Sequence, residues 1–123
     1  MLVRILSDTS CYDIIIDVGM PISHRNVNYN CRVYILNGKI LSIRPKMDLA
    51  NDGNYRETRW FTPWLRPTEY EEFHLPRMLQ KLQGATHVSF GDVVISTPDT
   101  CFGAETCEEM WSPAAPHIPM SLE

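Results

Sequence analysis

No stretch of the 123 residues approaches the roughly 20 consecutive apolar residues that a membrane-spanning helix needs, so a bilayer-spanning helix is not expected. Lys and Arg nowhere form a block. Eleven basic against 15 acidic side chains leave a net charge of −4, and without clustered positive charge a nucleic-acid partner is not expected. The first residues turn polar at Ser7-Asp8-Thr9-Ser10 before the apolar core of a secretory signal could form, and no Asn-x-Ser/Thr acceptor occurs. There is no Cys-x-x-Cys either. The four cysteines, at 11, 31, 101 and 107, therefore read as reduced thiols in the cytoplasm rather than as bridges or a redox pair. His24, His74, His87 and His117 are scattered, and no His stands at zinc-ligand spacing from Cys101 or Cys107, so no metal site is expected in this chain.

What is present is the composition of a globular protein, 44% apolar and 21% charged, at a length that allows one domain, residues 1–123. Leu2 to Leu6 reads as the last turns of a helix. The β-branched run Ile14-Ile15-Ile16 predicts a buried strand over Tyr12–Val18, closed by Gly19. Cys31–Leu36 and Lys39–Arg44 flank Asn37-Gly38, a strong hairpin signal because both turn residues need positive φ. Pro45 stops the second strand. Residues 45 to 68 carry no clean period, and a loop of that length is often functional, although its Trp60 and Trp64 read equally well as packing anchors. A short helix follows, opened by Pro76 and stopped by Gly84. Strands are expected over His87–Phe90 and Val93–Ser96, and over the stretch ending at Cys107, after which the chain trails off without another element.

Two residues suggest chemistry. Cys107 is expected where a strand gives way to a sharp turn, and the end of another strand delivers Arg44-Pro45-Lys46. A thiol at such a bend gains from backbone N–H groups and a nearby cation, which suits acyl transfer on an amide. The same residues also have plain readings, since a free Cys often packs as a small hydrophobe and a lysine after a strand is often a solvated loop charge.

The order Asp17-Val18-Gly19-Met20-Pro21, His24-Arg25-Asn26, Tyr29-Asn30-Cys31, the Asn-Gly hairpin, Arg44-Pro45-Lys46-Met47, Asn54-Tyr55-Arg56-Glu57, Arg59-Trp60-Phe61-Thr62-Pro63-Trp64, Phe90-Gly91-Asp92 and Cys107-Glu108-Glu109-Met110-Trp111-Ser112-Pro113 closely resembles the glutaminase domain of eukaryotic glutamine-dependent NAD synthetases. These belong to the nitrilase, or carbon–nitrogen hydrolase, superfamily. The resemblance implies an α/β fold, a partial nitrilase-type α-β-β-α sandwich holding the central portion of the domain without its first strand and second half. It implies a catalytic Cys107, Lys46 and Glu57 for glutamine hydrolysis, with Cys107 as nucleophile, Lys46 steadying the tetrahedral intermediate and Glu57 orienting the lysine. Tyr55 resembles a residue lining the glutamine pocket. Pro98 and Thr106 depart from the usual pattern.

By the same resemblance the general-base glutamate lies upstream of this span. The synthetase domain lies beyond it, with the ATP and magnesium it uses, so no cofactor is expected in these residues. The family assembles through its glutaminase domains, so the resemblance implies a homo-oligomer for the full-length family. The chain alone is then expected to be inactive. The alternative is a non-catalytic truncated product that acts at most as a protein-interaction module, and a carboxylate able to replace the missing base, sought among Glu105, Glu108 and Glu109, would discriminate the two.

Overall fold

The computed structural model describes residues 1–122. Helix α1 (Leu2–Ser7) leads into β1 (Ile16–His24), β2 (Val27–Leu36) and β3 (Lys39–Pro45); then come β4 (Tyr70–His74), α2 (Arg77–Gln83), β5 (His87–Gly91), the short β6 (Ile95–Ser96) and β7 (Cys101–Phe102), and α3 (His117–Met120). Five strands form one sheet in the order β1-β2-β3-β5-β4, while β6 and β7 pair as a separate ribbon. Only β3 and β5 run parallel; the other neighbours are antiparallel. No helix is long and apolar enough to cross a membrane among the described residues.

The period of two in a strand divides the sheet into unlike faces. Val33, Ile35, Ile43, Val88 and Phe90 point to one side, where Leu6 of α1 and Leu79 of α2 join the buried core. Side chains of Gln83 fix α2 to the sheet, accepting from the Ile40 N–H at 2.9 Å and donating to the Ile40 carbonyl at 2.8 Å. Gly84 ends α2 in the left-handed region, φ 71°, as expected of a glycine C-cap. The opposite face carries Tyr34, Ser42 and Arg44, all buried, and it is covered by the chain from Phe102, whose ring meets Tyr34 edge-on at 6.2 Å, to Glu109.

The first strand differs from expectation. It spans Ile16–His24 rather than Tyr12–Val18, and Ile14 and Ile15 are 58% and 38% exposed. Asp13 turns the chain at φ 60°, and its N–H donates to Asn37 Oδ1 at 2.6 Å, which fixes this bend against the β2–β3 turn before a strand can begin. The strand then runs through Gly19 and Pro21, alternating Ile16, Val18, Met20 and Ile22 inward; Pro21 is tolerated because β1 is an edge. Arg25 and Asn26, at φ 51° and 64°, make the two-residue turn into β2, a geometry more often given to Asn-Gly. The Asn37-Gly38 turn is as expected. A Cβ on Gly38 would lie 2.7 Å from the Leu6 carbonyl oxygen.

Three further differences concern later elements. β4 lies in a stretch without a clean strand signal and holds its place through Glu71, which accepts from His24 at 2.9 Å, from Arg25 at 3.1 Å and from Arg66. Hydrogen bonds from His24 and Arg66 hold the Glu71 carboxyl below its ordinary value. The segment from 93 to 106 pairs only at Ile95–Ser96 and Cys101–Phe102, so Cys107 opens a 3₁₀ turn, Cys107–Trp111, rather than ending a strand. The C-terminal stretch does form an element, α3, whose first N–H is accepted by Glu105 at 2.6 Å.

A Cβ at Gly91 would sit 2.3 Å from the Glu69 carbonyl oxygen and 2.6 Å from Tyr70 Cα, both backbone atoms, whereas nothing lies within 4 Å of one at Gly19. Gly91→Ala should therefore destabilise the chain by about 2–3 kcal/mol through overpacking, and Gly19→Ala should stay within ~0.5 kcal/mol of wild type. Urea denaturation of the two variants checks this; equal midpoints would refute the close approach at Gly91.

Candidate active site

Lys46 leaves β3 directly after Pro45, its N–H donating to the Asn30 carbonyl at 2.8 Å and its own carbonyl accepting from the Trp64 N–H at 3.0 Å. Both backbone groups are thereby committed. It is 4% exposed, which rules out a solvated loop charge. Nζ donates to Glu57 Oε2 at 2.6 Å. Glu57 opens a 3₁₀ turn, Glu57–Arg59, and its carboxylate also accepts from Asn30 Nδ2 at 2.7 Å and from the Ala50 N–H at 2.7 Å. Burial pushes the Glu57 carboxyl upward, but hydrogen bonds from Lys46, Asn30 and Ala50, with the charge of Lys46, outweigh it and hold the group below its ordinary value. A buried ammonium is thus set against a carboxylate rather than left unpaired.

Cys107 lies across the same cleft, which encloses about 450 Å³ and is lined by Asn30, Lys46, Tyr55, Glu57, Trp60 and Cys107 among others. That volume lies within the range of small-ligand sites. Its thiol is exposed. The residue sits at φ 54°, a region that non-glycine residues seldom occupy and that persists where surrounding structure imposes it. That structure is visible. Arg32, which pairs with Asp17, donates from Nη1 to the Glu105 carbonyl at 2.8 Å and to Thr106 Oγ1 at 3.3 Å. Thr106 caps the following turn reciprocally with Glu109, a capping box.

All four residues singled out in the sequence, Lys46, Tyr55, Glu57 and Cys107, thus meet at one cleft. The two tryptophans separate. Trp64 is 2% exposed and packs edge-on against Tyr29 and Phe90 at 6.0 and 5.6 Å, a packing anchor, while Trp60 is 72% exposed at the cleft. The other thiols lie elsewhere: Cys31 is buried, and burial pushes its thiol up to about 12, Cys11 is half-buried and Cys101 is exposed on β7.

The sequence leaves two participants unassigned. Asn30 shares the Glu57 carboxylate with Lys46 and carries no signal beyond its place beside Cys31. Glu109 is fully buried at 0% exposure. It accepts from Arg44 Nη1 at 3.2 and 3.3 Å, from the Met47 N–H at 2.7 Å and from the Thr106 N–H at 2.7 Å. With both oxygens committed it offers no free lone pair to a thiol, so it does not stand in for a general base. Glu105 is engaged by His117 through one oxygen, Oε1, which meets the His117 backbone N–H at 2.6 Å and Nδ1 at 2.9 Å. The pattern Thr106-x-x-Glu109 is the signal that exposes the Glu109 role as a cap.

Comparison with known proteins bears on the family and the fold. The sequence model of the family described as carbon-nitrogen hydrolase matches residues 1–123. The glutamine-dependent NAD(+) synthetase of Mus musculus is 62% identical over 123 residues, covering 100% of this chain and 17% of that protein. The Saccharomyces cerevisiae protein of the same name is 54% identical over 123 residues, again 100% of this chain and 17% of the relative. Among solved structures, a glutamine-dependent NAD(+) synthetase from Cytophaga hutchinsonii superposes with a TM-score of 0.71 at 33% identity, over 85% of this chain and 16% of that one. The chain therefore spans about 17% of the length of the curated relatives it matches. Its mixed α/β architecture, a sheet of five strands with few helices, corresponds to part of a nitrilase-type fold. With the family pattern matched from end to end, the chain belongs to the carbon–nitrogen hydrolases.

Proposed function

We propose that this chain supplies the nucleophile half of a glutamine amidase site, the site that provides ammonia for NAD synthesis from nicotinic acid adenine dinucleotide in glutamine-dependent NAD synthetases. The observation that carries the reading is the convergence of Cys107, Lys46 and Glu57 on one cleft with Tyr55 at its wall. In the reaction the thiolate of Cys107 attacks the side-chain amide carbon of glutamine, forming a carbon–sulfur bond as the carbonyl becomes an oxyanion. The Lys46 ammonium, held by Glu57, stabilises that charge without reorganising. Collapse breaks the carbon–nitrogen bond. Ammonia leaves with a proton, and water hydrolyses the γ-glutamyl thioester to glutamate and the free thiol.

The proton of the thiol goes to the family's general-base glutamate, which the resemblance places ahead of this span. ATP and magnesium belong to the synthetase reaction. No cluster of three His, Cys, Asp or Glu side chains suited to a metal ion occurs among the described residues. The chain on its own should release no ammonia from glutamine. Release that disappears in Cys107→Ala would overturn that expectation.

The direct test is covalent labelling with an electrophilic glutamine analogue, read by peptide mapping. Cys107 should carry the dominant adduct, with Cys31 protected by burial and Cys101 serving as an exposed thiol outside the cleft. Lys46→Ala should slow labelling on the order of a hundredfold, comparable to losing one oxyanion donor, while far-ultraviolet circular dichroism stays unchanged. A dominant adduct on Cys101 would refute the assignment.

The depressed Glu57 carboxyl gives a pH signature. A group whose folded pKa lies below its ordinary 4.5 adds stability that is fully present above that value and is lost as pH falls through the folded pKa. Wild type should therefore exceed Glu57→Gln in denaturation midpoint at neutral pH, and the gap should close as pH falls below 4.5. A gap that widens on acidification would contradict the Lys46–Glu57 pairing.

A further inference from the structure

We propose that Glu109 is a positioning residue that sets the separation of Lys46 and Cys107; the proposal rests on the amidase reading above. Its two carboxylate oxygens divide their work. Oε1 accepts the N–H of Met47, the residue after Lys46, at 2.7 Å, and Oε2 accepts the N–H of Thr106, the residue before Cys107, at 2.7 Å. One rigid planar group thus holds the backbone beside the cation and the backbone beside the thiol. The capping box explains only the second contact. The Met47 bond crosses 62 positions of sequence and does nothing for the turn that begins at Cys107.

The rest of the environment removes slack. Arg44 Nη1 lies 3.2 and 3.3 Å from the two oxygens, and Arg44 and Glu109 side chains are both 0% exposed. Arg44 is itself held by Asp92 at 3.4 Å, just past β5, and its Nη2 approaches Met47 Sδ at 3.5 Å. A charge so enclosed cannot drift toward water, because it would leave its partner buried and unpaired. Neighbouring Glu108 is only half-buried and has no corresponding role, so it serves as the control position. Acyl transfer depends steeply on such geometry, since displacement of a reacting group by about 1 Å can cost a hundredfold.

The test compares two reagents on the 123-residue chain: a chloromethyl ketone derived from glutamine, which must seat in the cleft, and iodoacetamide, which needs only an accessible thiol. Rates are read separately at Cys107 and Cys101 by mass spectrometry, and continued protection of Cys31 reports an intact core. Wild type and Glu108→Gln should label Cys107 with the ketone in preference to Cys101. Glu109→Gln should lose that preference by tenfold or more while its iodoacetamide rate at Cys107 stays within about threefold, the mark of lost alignment rather than lost access. Glu109→Asp keeps the charge but is too short to span both N–H groups, and should show the same loss with the fold retained. Wild-type behaviour in either folded variant overturns the positioning role while leaving the amidase reading intact. Absence of any Cys107 preference in wild type overturns the amidase reading and the proposal with it. Unfolding of both variants assigns Glu109 to stability alone and overturns the proposal.

Discussion

The enclosed pair Arg44–Glu109 is the contact on which the polar half of this molecule depends. Two charges out of reach of water must satisfy each other or cost several kcal/mol apiece, and removing one partner of such a pair costs about 3–5 kcal/mol. Here the partners come from the end of β3 and from the turn after Cys107. Their pairing therefore settles where the C-terminal segment lies on the sheet. Arg32 adds a second tether one strand away, reaching the Glu105 carbonyl and the Thr106 hydroxyl. The Cys107 turn is thus fastened by guanidinium groups of both β2 and β3.

The two faces of the sheet are stabilised in different ways. Toward α1 and α2 the contacts are apolar, with Val33, Ile43 and Phe90 at 0–1% exposure, and burial of such groups is worth roughly 25 cal/mol per Å² removed from water. Toward the Cys107 segment the contacts are charged or capped, and their worth lies in direction more than in energy. Among the described residues, Tyr34 OH, Ser42 Oγ and Arg44 Nε lie buried without a partner on that side. A face built this way tolerates less rearrangement than an apolar one, because each displaced donor or acceptor leaves another unsatisfied.

Much of this is legible in the chain. The Asn37-Gly38 turn announces itself by residue types that accept positive φ, and α2 by its Pro76 and Gly84 boundaries. The Lys46, Glu57, Tyr55 and Cys107 constellation becomes visible only through motif order, since no local period connects positions so far apart. Other features hide for physical reasons. The run Ile14-Ile15-Ile16 looks like a strand, yet two of its members are exposed, because Asp13 is captured by Asn37. β4 reads as polar at Tyr70-Glu71-Glu72 because its attachment runs through the carboxylate of Glu71 rather than through apolar packing alone. The cap made by Glu109 shows in the Thr106-x-x-Glu109 pattern, but its bond to the Met47 N–H is hidden, because no side-chain pattern advertises a backbone partner 62 positions away.

The unequal exposure of the thiols carries a consequence for wear. Cys31 lies in the core with its thiol pushed up to about 12, whereas Cys107 opens to solvent at the cleft. Oxidation by peroxide proceeds through accessible thiolate and climbs from sulfenic to irreversible acids. Shielding Cys107 would slow that damage and, under the proposed amidase reading, would equally bar a substrate, so lifetime and openness would be set by the same sulfur atom.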